Sequence, residues 1–147
     1  MIMRYLNIIM RFADNNSGDC MIKSKRNMIF FGIGAVGYGL IEILWRGYTH
    51  WAMLVAGGIC FVIFSYIAEK FRSRPLILKA VLCALSVTTV EIIFGVVFNL
   101  ILKENIWDYS SLPMNFMGQI CLPYSFLWGI LGFVFIPLAD VLNEKIS

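Results

Sequence analysis

Charge is scarce in this chain. Only 14% of its 147 residues are charged, while 60% are hydrophobic, and the mean hydropathy is +0.80. Soluble domains average about a quarter charged and about half apolar, so the composition argues against a cytosolic enzyme, a disordered tail or a small secreted scaffold. Histidine is nearly absent, with one copy, which excludes an H-E-x-x-H zinc motif. No G-x-S-x-G string occurs either. Cys20, Cys60, Cys83 and Cys121 form no C-x-x-C pair and no metal-ligand spacing. Three of them lie in apolar runs, where free cysteine behaves as a small hydrophobe. Neither a catalytic centre nor a metal or other cofactor follows from these residues, and the chain reads as a non-enzyme.

What is abundant is apolar sequence in runs near membrane-spanning length, about twenty residues. The first run extends from about Met28 to Trp45 and is broken by Glu42; the second extends from about Trp51 to Ala68 without a charge. A basic turn containing Pro75 follows. The third run, about Leu76 to Leu102, carries Lys79 at its start and Glu91 within it. A polar loop, Lys103 to Pro113, leads to a fourth run lying between Gly118 and Leu142. The chain therefore predicts an all-α, four-helix transmembrane bundle over residues 28–142. An N-terminal polar and basic arm occupies residues 1–27, with a turn at Asp14–Asp19, and a short tail residues 143–147. The first twenty residues read as an upstream start, because Met21 precedes the basic string Lys23-Ser24-Lys25-Arg26. Pro123 leaves two options: a kink inside the fourth helix, or a place at its first position, with Asn115–Leu122 re-entrant or interfacial.

Ten of the twelve Lys and Arg residues lie near the N-terminus, in the second link or at the C-terminus; Arg46 and Lys103 are the exceptions. By the positive-inside rule both termini are cytoplasmic; a multi-pass protein of a bacterial inner membrane is expected, with the lipid bilayer as its first partner. Trp45, Tyr48, Trp51, Trp107 and Tyr109 then gather at the outer interface, where aromatic belts form. A nucleic-acid surface would need its basic residues on one exposed polar face; here apolar spans separate them, so no nucleic-acid partner is read. Gly32-Ile33-Gly34-Ala35-Val36-Gly37 matches G-x-G-x-x-G, but it lies inside a span and lacks the strand and acid of a dinucleotide site. Close helix approach through small residues, as at Ala35 and Gly39, explains it better.

Polar residues inside the spans carry the functional information. Glu42, Arg46 and His50 are spaced four apart and share a face if the first helix continues that far. They read either as a structural pair at a helix end or as an outward-facing site for a charged ligand or ion. Glu91 lies ten residues below Ile101, roughly 15 Å at the helical rise, near mid-membrane. A charge there costs roughly 2.5–3.5 kcal/mol on translocon scales. Thr88, Gly95 and Asn99 fall on its face. The residue is expected to face the bundle interior and to titrate or bind a polar ligand; the alternative is a neutral acid bonded between helices.

Several unusual strings occur in a fixed order. They are Ile41-Glu42, Arg46-Gly47-Tyr48-Thr49-His50-Trp51 with Met53 and Gly57-Gly58, then Thr88-Thr89-Val90-Glu91 with Gly95. Trp107-Asp108-Tyr109-Ser110 follows, leading to Pro113, Asn115, Gly118-Gln119-Ile120-Cys121-Leu122 and Trp128. Over roughly residues 30 to 140 the chain resembles the type IV ABC-transporter membrane-protein family. The resemblance implies a small multi-span permease-like component of a transport system, of unspecified substrate. No Walker A string is present, so ATP hydrolysis would come from a separate nucleotide-binding subunit, and the small bundle favours homo-oligomerisation or a partner. The ligand or ion site expected is Glu91, Glu42, Arg46, His50 and Asn99. The loop residues Trp107, Asp108, Tyr109, Asn115 and Gln119 form either an interfacial turn or a lid over Glu91. The alternative function is an accessory or regulatory membrane subunit in which the same residues only fix helix packing.

Overall fold

A computed structural model describes the backbone from Ile2 to Ile146 and the side chains from Cys20 to Ile146. Four helices form the body: α1 (Ile2–Arg46), α2 (Trp51–Lys70), α3 (Leu76–Phe94) and α4 (Leu122–Ile146). A π-helical segment, Gly95–Ile101, prolongs α3, and a two-stranded hairpin, β1 (Asn115–Phe116) and β2 (Ile120–Cys121), precedes α4. Each of the four spans, Cys20–Arg46, Trp51–Lys70, Leu76–Ile101 and Leu122–Ile146, is long and apolar enough to cross a membrane. The expected all-α, four-span architecture is present. The limits drawn at residues 27 and 142 are not breaks in the helices, because α1 begins before the first and α4 runs past the second. The turn expected at Asp14–Asp19 is not formed, because α1 runs through those residues as continuous helix; the suggested upstream start lies outside the residues whose side chains are described.

Between membrane helices, apolar area supplies little driving force, because lipid is as apolar as leucine; close packing and polar bonds hold them together. The α1–α2 seam is built on glycine. A Cβ on Gly34 would lie 2.5 Å from the Gly57 carbonyl oxygen, and one on Gly57 would lie 2.3 Å from the Tyr38 Cβ. α1 packs chiefly on α2, whereas α2, α3 and α4 all pack on one another. One core cluster, at the end carrying the basic α2–α3 link, centres on Phe30, Phe61, Phe64, Cys83, Val87 and Ile136. A second, at the hairpin end, contains Ala52, Met53, Ile106 and Trp107. At the basic end, Arg26–Glu69 (2.8 Å), Arg72–Glu144 and the buried Lys79 with Asp140 (3.4 Å) tie helices together. Ser65 adds a hydrogen bond to Asn143 at 2.8 Å.

Three local features differ from the expectation. First, α1 stops at Arg46, because Gly47 takes φ +79° and its amide bonds back to the Ile43 carbonyl at 2.8 Å. This is the αL stop that glycine permits without a Cβ penalty. His50 therefore leaves the Glu42–Arg46 face and becomes the N-cap of α2, its Nδ1 accepting from the Ala52 amide at 3.3 Å. Second, the stretch before α4 is not helical, so Pro123 does not kink a longer fourth helix. Asn115 pairs with Cys121 and Phe116 with Ile120 in an antiparallel hairpin, and Pro123 falls in the first turn of α4, where a missing amide costs little. Third, the aromatic belt is smaller than expected. Trp45, Tyr48 and Trp51 are well exposed, but Trp107 is buried because its indole donates to the Gln119 carbonyl within the loop, at 2.9 Å.

Candidate functional site

Between the two core clusters lies a cavity of about 190 Å³, walled by all four helices and capped by the loop through Trp107. Aromatic and aliphatic side chains, among them Tyr38, Met53, Phe94, Trp128 and Phe135, make up almost all of its lining. Glu91 is the one charged residue there. The helical turn of α3 directs Glu91 toward α4, where Trp128 Nε1 donates to its Oε1 at 3.0 Å. One turn earlier, Thr88 bonds Ser125 of α4 at 3.0 Å. Glu91 is 6% exposed, and its Oε2 has no hydrogen-bond partner; among the described residues only the Nε atoms of Arg26 and Arg46 share that condition. A buried polar atom is normally satisfied, so an unpartnered carboxylate oxygen on a residue that lines the cavity stands out.

The Glu42 cluster is different in kind. Arg46 donates to Glu42 at 2.7 Å and to the Ile106 carbonyl at 3.0 Å, and its guanidinium lies 5.0 Å from the Tyr48 ring centroid. The second carboxylate oxygen of Glu42 accepts from Thr49 at 2.9 Å. Both oxygens are thereby engaged, and the arginine staples α1 to the loop. His50 sits apart from them, with Nε2 3.6 Å from a Glu104 carboxylate oxygen. Thr49, not singled out from the sequence, takes the place expected of His50.

Asn99 is also fully engaged. Its amide donates to the Trp107 carbonyl and to Gln119 Oε1, both at 2.9 Å, and its oxygen accepts from the Ile106 amide at 2.7 Å. Gln119 lies over Gly95, where a Cβ would come within 2.6 Å of its Oε1. The π-helical segment thus ends on a polar staple that anchors the loop. Within the loop, Asp108 Oδ1 accepts from the Ser110 amide at 2.8 Å and from the Ser110 hydroxyl. These bonds hold its carboxyl below the usual aspartate range. The Tyr109 amide bonds the Gly118 carbonyl at 2.8 Å, and its ring stacks on Tyr124 with centroids 4.9 Å apart. Burial, with the Glu91 carboxylate adding to it, holds the Tyr109 phenol well above its usual range. Asn115 Nδ2 donates to the Leu112 carbonyl at 2.8 Å. The loop is closely folded on itself, and Trp107 brings it to the cavity wall.

The hydrogen-bond partner of Glu91, Trp128, carries a signal legible in the sequence. An indole within an apolar span needs an acceptor for its N–H, and Trp128 lies inside the fourth run. Among the described residues no group of three or more His, Cys, Asp or Glu could hold a metal ion. Residues 27–147 match the model of a family described as Putative ABC-transporter type IV. No curated protein and no solved structure matches the chain.

Proposed function

We propose, on the premise that the chain belongs to the Putative ABC-transporter type IV family, that it is a permease-like membrane component with Glu91 as its ligand-contacting residue. The observation that carries this reading is the buried, unpartnered Oε2 of Glu91, the one charged residue in a lining otherwise uncharged. The distribution of Lys and Arg supports a topology in which the hairpin end faces outward and both termini face the cytoplasm; the membrane of this reading is a bacterial inner membrane. Glu42, Thr49 and Asn99 then hold the cap rather than contact ligand, since their hydrogen bonds are spent inside the protein, and Arg46 does so through its two terminal nitrogens. His50, with Glu104, stands at the outer rim. The energy source is a separate nucleotide-binding subunit, and a bundle this small completes its path with a partner or a second copy.

The same saturation of the Glu42 and Asn99 clusters favours a second reading, an accessory subunit whose polar residues serve packing alone. Glu91→Gln separates the two. The amide keeps size and can still accept from Trp128, so a packing role survives with unchanged expression and phenotype. Loss of the transport phenotype at unchanged protein level supports the permease reading. Co-purification in mild detergent, followed by mass spectrometry, tests the partner: a stoichiometric ATP-binding subunit is expected, and a protein that purifies alone removes ATP coupling.

A further inference from the structure

The lining of the cavity specifies a class of ligand, and the inference rests on the reading of Glu91 as ligand-contacting. A carboxylate buried in a membrane protein is ordinarily paired with a cation or a bonded network. Here the lining contains no Lys, Arg or His. Arg46, on the same helix as Tyr38, is committed to Glu42, the Ile106 carbonyl and the Tyr48 ring. The lining is instead rich in aromatic residues, among them Tyr38, Phe94, Trp107 and Trp128; Trp128 bonds Glu91 directly, and the Tyr38 and Trp128 rings are in contact at 5.9 Å between centroids. Aromatic faces attract cations through their quadrupole, by about 0.5–2 kcal/mol per contact depending on desolvation. A lone acid in an aromatic box therefore presents the two features that an organic ammonium ion meets and a neutral or anionic molecule does not.

Size narrows the class further. An apolar cavity of about 150 Å³ holds a benzene molecule, and this one is about 190 Å³. It takes one aromatic ring or short alkyl segment with a single ammonium group, not a whole lipid. Access is suggested by the packing: α1 leans chiefly on α2, yet it shares the cavity wall with α3 and α4. Gly37 of α1 lies on that wall with open space where a side chain would start.

We propose that the Glu91 cavity binds a small lipophilic ammonium ion, its charge on the carboxylate and its apolar part against Tyr38, Phe94, Trp107 and Trp128. The test uses the full chain in lipid nanodiscs with benzylamine, protonated at neutral pH, and ethylbenzene, its neutral isostere. Binding is read by tryptophan fluorescence and by ligand-observed NMR. Saturable benzylamine binding is expected, weakened on the order of tenfold or more in Glu91→Gln, where a charge-assisted bond becomes a neutral one. Gly37→Leu, which starts a side chain in open space, fills the cavity and abolishes binding while thermal unfolding stays cooperative. Ethylbenzene displacing benzylamine at equal concentration overturns the proposal, as does unchanged affinity in Glu91→Gln or the absence of saturable binding. The assay needs neither partner nor transport. A Glu91-dependent transport phenotype without benzylamine binding sinks this inference and leaves the permease reading; binding without that phenotype does the reverse.

Discussion

Asp108 is fully outside the packed core, yet its carboxylate is committed to Ser110 through both the amide and the hydroxyl. Those bonds favour the ionised form, so its folded pKa is depressed. A depressed carboxyl contributes stability above its unfolded value and loses it as pH falls through the folded one. The cap is therefore expected to stay ordered while ordinary carboxylates titrate and to loosen only below that range. Amide hydrogen exchange at Tyr109 and Ser110, followed down in pH, checks this. Asp108→Ala is expected to remove the pH dependence and raise exchange at both amides at neutral pH. At this scale the sequence was partly informative. An Asx-type bond is legible from Asp108-Tyr109-Ser110, and Glu42 with Arg46 from their spacing. The staple by Asn99 was not, since its partners lie in a loop whose course depends on the hairpin.

Helix seams decide which small residues matter at the scale of elements. Gly34→Val places a Cβ 2.5 Å from both the Gly57 carbonyl oxygen and the Phe61 Cβ, atoms at or next to the backbone that cannot move away as the end of a flexible side chain would. A loss of about 1–3 kcal/mol is expected, the usual cost of overpacking. Gly37→Ala, three residues on, meets nothing within 4 Å and is expected to be close to neutral. Thermal unfolding in detergent compares the two directly. The G-x-G-x-x-G string thus contains both kinds of glycine, and composition alone could not sort them. The four spans were readable because a hydrophobic run of twenty residues has few other uses. The hairpin was not: strands of two residues, Asn115–Phe116 and Ile120–Cys121, carry no periodicity. The end of α1 was misread for a related reason, because the i, i+4, i+8 spacing of Glu42, Arg46 and His50 continues through Gly47, and only the positive φ there breaks it.

Across the whole molecule, α2, α3 and α4 form one mutually packed unit, and polar ties at the basic end lock it. Lys79 is buried and faces Asp140 on α4, whereas the Arg72–Glu144 pair is exposed on both sides. Removing one partner of a buried pair leaves an uncompensated charge and costs about 3 kcal/mol or more; exposed pairs contribute less than about 1 kcal/mol. Asp140→Ala is therefore expected to lower the unfolding midpoint clearly, and Glu144→Ala to leave it almost unchanged. Equal effects would mean that Lys79 finds water or lipid phosphate as easily as Asp140. The overall topology followed from hydropathy, which needs no tertiary information. The cavity did not, since it arises from how α1 leans on its neighbour.

The π-helical turn between Gly95 and Ile101 has a consequence for how this gene tolerates length change. A π turn bonds each amide to the fifth residue back and so holds one more residue than the α turn it replaces; the Leu102 amide reaches the Val97 carbonyl in this way, at 2.9 Å. Deleting a single codon between those for Gly95 and Asn99 would let the stretch close as ordinary α-helix. Glu91 would keep its heading toward Trp128, and Asn99 its heading toward the cap. Elsewhere in α3 the same deletion would rotate everything beyond it by about 100°, so the segment is the place in this span where an indel is absorbed rather than transmitted.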